Sequence, residues 1–192
     1  MPSIRARLLA RQLVASVRVM AAFTVLLGLL YPLAVWGTGQ LVARDQAAGS
    51  LVRVDDRVVG SALLGQQWTG PEWFHGRPSA SDYSGDVSGG TNLGPGAPVE
   101  GAVARRRIRM DLGDGPQPPD ALTASASGLD PHISVANAEA QVARVAAARG
   151  LPPEVVGGLV VDATEDRALG FLGEERVNVL RLNIGLRGLS GS

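Results

Sequence analysis

The chain has 192 residues and no net charge, with 18 basic residues against 18 acidic ones. That is long enough for one domain with its own core plus an appendage, and no global field draws it towards nucleic acid. Every basic residue is arginine and cysteine is absent, which excludes a Walker A loop, Schiff-base chemistry, thiolate nucleophiles, zinc–thiolate or iron–sulfur sites, and disulfides. Two histidines, His75 and His132, are too few for a multi-histidine metal site.

The first element is a span. Val19–Val42 (VMAAFTVLLGLLYPLAVWGTGQLV) carries no charge and exceeds the roughly 20 residues that cross a hydrocarbon core. Arg5, Arg7, Arg11 and Arg18 precede it, while Arg44 and Asp45 offset each other behind it. The positive-inside rule therefore predicts a cytoplasmic N-terminus and an exported remainder. The apolar run is longer than a signal-peptide core, and no small-x-small cleavage pattern follows it closely, so a retained anchor is expected. Gly28, Pro32, Gly37 and Gly39 suit a helix that packs against other membrane helices. The chain divides into an arm (1–18), a transmembrane helix (19–42) and a soluble extracytoplasmic α+β domain (43–192).

Within that domain, Arg57–Leu64 (RVVGSALL) reads as a strand. Gln67–Asp82 gathers Trp68, Trp73 and Phe74, with Tyr83 just beyond. Such a cluster is either a core corner or a docking surface. Arg77–Pro78–Ser79 reads as a rigid turn, and Ser84–Gly96 as a glycine-rich loop that lacks the lysine of a phosphate cradle. Pro98 opens an expected helix to Leu112 bearing Arg105, Arg106, Arg107 and Arg109. No aromatic stacking platform interleaves with these arginines, which favours a solvated face or an acidic partner over nucleic acid. A loop follows over Leu112–Asp120.

Thr123–Ser134 (TASASGLDPHIS) brings Ser125, Ser127, Asp130 and His132 together. A serine hydrolase is one reading. The residues lie too close in sequence for a triad assembled from separate elements, no G-x-S-x-G elbow is present, and Pro131 fixes a turn at Asp130. A loop whose hydroxyls satisfy backbone donors is expected instead. Ser134 then caps a helix Val135–Arg149 that Gly150 and Pro152 end. Its apolar stripe is Val135, Ala138, Val142 and Val145, with Glu139, Gln141 and Arg144 projecting elsewhere. A second helix is expected over Glu154–Asp162, and Asp162, Glu165 and Asp166 read as a polar loop rather than a cation site. Arg176–Leu186 fits strand and helix spacing alike. Glu174 and Glu175, placed where a macrodipole would favour them, favour helix.

Taken in order, Gly49–Ser50, Gly60–Ser61, Gly65–Gln66, Arg77–Ala80, Ser88–Pro95, Thr123–Ser134, Gln141…Ala146 and Gly173…Leu180 form a series that resembles the C subunit of the Kdp potassium-transporting ATPase. The resemblance implies a small non-catalytic subunit of the cell membrane. It implies two partners, a channel-like potassium-binding subunit and a P-type subunit that hydrolyses ATP. It implies a role in stabilising that complex and, as a catalytic chaperone, in raising ATP affinity, with no tightly bound cofactor. A glutamine motif matched by Gln141, Val142 and Arg144 implies nucleotide contact, which conflicts with an exported location for those residues. The Arg77 turn and the Ser88–Pro95 loop are the expected subunit contacts. A membrane-anchored hydrolase and a tethered ligand-binding module are the competing readings.

Overall fold

The computed structural model describes residues 4–93 and 116–189. The expected helix of Pro98–Leu112 with its arginine cluster, the end of the glycine-rich loop and the start of the 112–120 loop lie outside the described residues. The chain forms two units, residues 1–50 and 51–192.

The first unit is a continuous helix, Ile4–Val42, at ~1.5 Å per residue longer than a hydrocarbon core. It comprises α1 (Ile4–Val25), a π-helical turn (Leu26–Leu30) and α2 (Tyr31–Val42). It therefore takes in most of the arginine-bearing arm. The π turn answers a local demand of the sequence. Pro32 has no N–H for Gly28 and its ring crowds that carbonyl in an α-helix. One wider turn ahead of it re-pairs the backbone, with the Tyr31 N–H donating to the Leu26 carbonyl. A single turn, α3 (Arg44–Ala47), follows.

The second unit opens with a hairpin, β1 (Leu51–Val54) and β2 (Arg57–Ser61), antiparallel with a bulge between Val52 and Arg53. Asp55 and Asp56 make its two-residue turn with φ of 49° and 61°, the left-handed pair that a tight hairpin requires. β2 stops at Ser61, three residues short of the expected strand end. After α4 (Pro119–Leu122), a three-stranded antiparallel sheet runs β3 (His132–Ser134), β5 (Arg176–Asn178), β4 (Thr164–Glu165), with β5 in the centre. Ile133 faces Val177 across β3 and β5, and Thr164 faces Val177 from the other side.

Three helices cover this sheet: α5 (Val135–Arg149), α6 (Pro153–Asp162) and α7 (Val179–Leu189). α5 starts and stops where its caps dictate. The Ser134 Oγ accepts from the Asn137 N–H at 3.1 Å, and Gly150, at φ 65°, takes the left-handed position that ends the helix. The last run, Arg176–Leu189, is both elements in succession. Its first three residues are the central strand and the rest is α7. Asn178 caps the helix by accepting the Arg181 N–H at 3.2 Å, so Glu174 and Glu175 precede the strand and do not start the helix. Buried Phe74, Ile133, Ala138, Val145, Val156, Val160, Val177, Leu182 and Leu186 share one core, against which Trp68, Val142 and Leu159 pack.

Candidate functional site

The loop Gly70–His75 has no regular structure, yet each of its six carbonyls accepts a hydrogen bond from a side chain. The His75 Nε2 donates to the Gly70 carbonyl at 2.8 Å. Arg144 Nη1 serves Pro71 at 2.6 Å and Trp73 at 3.1 Å, and Arg149 Nε serves Glu72 at 2.7 Å. Two carboxamides complete the set. Asn183 Nδ2 donates to the Phe74 carbonyl at 3.0 Å while its Oδ1 accepts the Phe74 N–H at 2.9 Å. Gln141 treats the His75 peptide in the same way, at 3.1 Å and 2.8 Å. Asn183 comes from α7 and Gln141 from α5, so the two helices grip successive residues of one extended segment. A buried backbone without ladder partners needs such replacements.

Gln141 is buried, 1% exposed. Sequence spacing alone had it projecting away from the core. It lies three residues after Ala138 and four before Val145, on the same face as both, where its amide is held rather than solvated. Its Nε2 also donates to the Asn137 Oδ1 at 2.9 Å, and its Oε1 also accepts Arg144 Nη2 at 2.7 Å. Asn137 passes the network on. Its Nδ2 donates to Asp120, whose carboxylate also accepts the Ser134 N–H and hydroxyl at 2.8 Å each. Val142 packs against the core. Gln141 and Arg144 of the glutamine motif therefore clasp the aromatic loop. Trp73 lies 5.1 Å from Trp68, and the Arg149 guanidinium stacks 4.3 Å above the Trp73 ring. The aromatic stretch is a core corner at Phe74, 0% exposed.

Ser125 and Ser127 serve their own loop. Ser125 Oγ accepts the Gly128 N–H at 3.2 Å and Ser127 Oγ accepts the Leu129 N–H at 3.1 Å. The Ser79 hydroxyl donates to the Gly128 carbonyl at 2.7 Å, and the Ser88 hydroxyl and Gly89 N–H donate to the Ser127 carbonyl. Tyr83 closes the Arg77 turn by donating its hydroxyl to the Arg77 carbonyl. Both segments expected as subunit contacts, the Arg77 turn and residues 88–89, are thus tied to the 123–131 loop of this chain.

His132 faces carboxylates, not serines. Its Nδ1 lies 3.7 Å from Asp130 and its Nε2 3.6 Å from Glu165. Among the described residues no hydrogen bond joins it to Ser125 or Ser127, so the compressed triad is not assembled. Arg77 pairs with Asp130 at 3.2 Å. Burial alone would push the Asp130 carboxyl up. The His132 ring, the His132 N–H and the Arg77 guanidinium outweigh it and hold the group below the usual carboxylate range. Glu165 belongs to a second cluster, with Arg176 and Arg181 each at 3.1 Å. Asp162, Glu165 and Asp166 do not gather, and no group of three or more metal-ligating residues occurs among the described residues.

A family model, K+-transporting ATPase, c chain (KdpC), matches residues 13–188. The chain belongs to the KdpC family. Among relatives, the potassium-transporting ATPase KdpC subunit of Kineococcus radiotolerans is 54% identical over 168 residues, covering 84% of this chain and 85% of the relative. That of Mycobacterium bovis is 47% identical over 184 residues, covering 92% and 97%, and that of Koribacter versatilis is 45% identical over 187 residues, covering 93% and 95%. In this KdpC chain the residues that sequence reasoning missed are Asn183, Asn137 and Asp120. For the two asparagines the available signal was a polar amide inside an otherwise apolar run, as in RVNVLRLNIGL; Asp120 carried none.

Proposed function

We propose that this chain is a non-catalytic accessory subunit of an ATP-driven potassium transporter, assembled with a channel-like potassium-binding subunit and an ATP-hydrolysing P-type subunit. The observation that carries the reading is the KdpC match along residues 13–188. The long apolar helix Ile4–Val42 supports a single-pass anchor in the cell membrane, and the arginines ahead of its uncharged run 19–42 support a cytoplasmic N-terminus with residues 43–192 outside. The part played by the domain is to hold the complex together and, through it, to raise the ATP affinity of the hydrolysing subunit.

That effect is indirect. Gln141 and Arg144 are committed to Asn137 and to the Pro71, Trp73 and His75 peptides, and an outside location separates them from cytoplasmic ATP. Labelling tests this reading. The chain has no cysteine, so one introduced at exposed Ala140 gives a unique target beside Gln141. An impermeant thiol reagent is expected to label it from outside in intact cells, and the chain is expected to co-purify with two larger membrane subunits. Labelling only from the cytoplasmic side, or purification free of those subunits, contradicts the reading.

A further inference from the structure

The long apolar helix does not satisfy its own backbone. In the π turn each N–H donates to the fifth residue back. The Tyr31 N–H therefore goes to the Leu26 carbonyl, and in the same register the Leu30 N–H goes to Val25. The Leu27 carbonyl is left with neither of its partners. Its α-helical donor, Tyr31, is already spent on Leu26. Its π-helical donor is residue 32, and Pro32 has no N–H. Side chains do not make good the loss, since the polar ones over 19–37 are Thr24, Tyr31 and Trp36. Thr24 lies on the N-terminal side of a carbonyl that points towards the C-terminus. Trp36 stands more than two turns further on, and the Tyr31 hydroxyl is held a ring's length out from the backbone.

A bare carbonyl at this depth selects what covers it. Leu27 lies ~12 Å inside the uncharged run that starts at Val19, within a hydrocarbon core of ~30 Å. Lipid tails carry no donor, and a backbone group left unsatisfied among them is strongly disfavoured. Beside the carbonyl, Gly28 presents no side chain. A Cβ there would come no closer than 3.9 Å to another side chain, the Thr24 methyl, so a neighbouring helix can approach closely on that side. Electrostatic complementarity asks that helix for a polar hydrogen, from a hydroxyl or a carboxamide. A second copy of the chain could offer only its Tyr31 phenol near that level, and the ring would hold the two helices apart and leave Gly28 uncovered. We infer that the Leu27 carbonyl accepts a hydrogen bond from a serine, threonine, asparagine or glutamine on a transmembrane helix of another transporter subunit, packed against Gly28. This rests on the subunit assignment above.

The full chain, co-expressed with the other transporter subunits, tests it in two steps. p-Benzoylphenylalanine at position 27 is expected to crosslink to a transmembrane segment of one of those subunits that carries such a donor within a turn of the crosslink, read by mass spectrometry. Silence in a complex that contains the chain overturns the inference, as do crosslinks only to lipid, to a second copy or to a segment without such a donor. Pro32→Ala returns an N–H to the helix, so the Leu27 carbonyl pairs internally and the partner's donor is stranded. Retention of this variant in the complex on dilution in detergent is expected to fall at least three-fold. Replacing the partner's donor by alanine is expected to cost a similar factor in the parent and nothing further in Pro32→Ala. Full retention of Pro32→Ala, or two losses that simply multiply, overturns the inference while the subunit assignment still stands. A complex that never contains the chain overturns that assignment and the contact with it.

Discussion

Replacing Gln141 by leucine tests whether this residue holds the fold or serves a ligand. Leucine has similar volume, so the cavity term is small and the change is chiefly one of hydrogen bonding. The His75 N–H and carbonyl lose their bonds to Gln141 at 2.8 Å and 3.1 Å, and the Asn137 Oδ1 loses its donor at 2.9 Å. A polar group left unsatisfied in the interior costs about 1–3 kcal/mol. The His75 groups are only half-buried and belong at the low end, whereas Asn137 is fully buried. The sum is about 3–4 kcal/mol, set against a total stability of roughly 5–15 kcal/mol. For a unit of this size that corresponds to a fall in Tm of roughly 10 °C. Tryptophan fluorescence of the full chain in detergent reads it directly, since Trp68 and Trp73 lie on or beside the gripped loop. A Gln141→Leu chain that melts within about 2 °C of the parent would refute the clamp. If it also weakened ATP dependence, nucleotide contact at Gln141 would gain the ground lost.

Gly128→Ala is expected to lower stability by about 2 kcal/mol or more. Gly128 sits at φ 71° and a Cβ would lie 2.5 Å from the Ser81 Oγ and 2.8 Å from the Gly89 carbonyl. An unchanged urea midpoint would show that the serine loop is slack. Arg149→Met should cost about 1–2 kcal/mol through loss of the Glu72 bond and the Trp73 stack, with a red shift in tryptophan emission as the check. Asp130 makes the Arg77 pair acid-sensitive. Its folded pKa lies below the unfolded value near ~3.9, so its contribution is complete above that value and is lost as pH falls through the folded one. The Tm gap between the parent and Arg77→Met should therefore be largest near pH 6 and shrink below about pH 4. Both side chains are partly exposed, which keeps the effect under about 1 kcal/mol. A gap constant from pH 6 to pH 3 would rule the pairing out.

The helices were legible because their signals are local. Ser134 and Gly150 bracket α5 at its observed ends, and Pro153 opens α6 at its start. The β1–β2 hairpin was not foreseen, since its turn uses Asp55–Asp56 in place of the asparagine–glycine pair that marks such turns. Arg176–Leu189 carried both periodicities because it is both elements. The clamp was hidden for a different reason. Gln141 lies 66 positions from His75 and Asn183 lies 109 from Phe74, and nothing local tells a polar residue on a core face from one in solvent. The serine stretch conveyed its loop role more readily, because the bonds of the Ser125 and Ser127 hydroxyls close over two or three residues.

On the proposed function, this chain is required by a potassium transporter and performs no hydrolysis itself. The most direct measurement is potassium-stimulated ATP hydrolysis by the transporter purified without the chain and then supplied with it. Little stimulated activity is expected in its absence, with restoration when the full chain is added and none from the chain alone. A transporter that assembles and hydrolyses ATP at the full potassium-stimulated rate without the chain would contradict it.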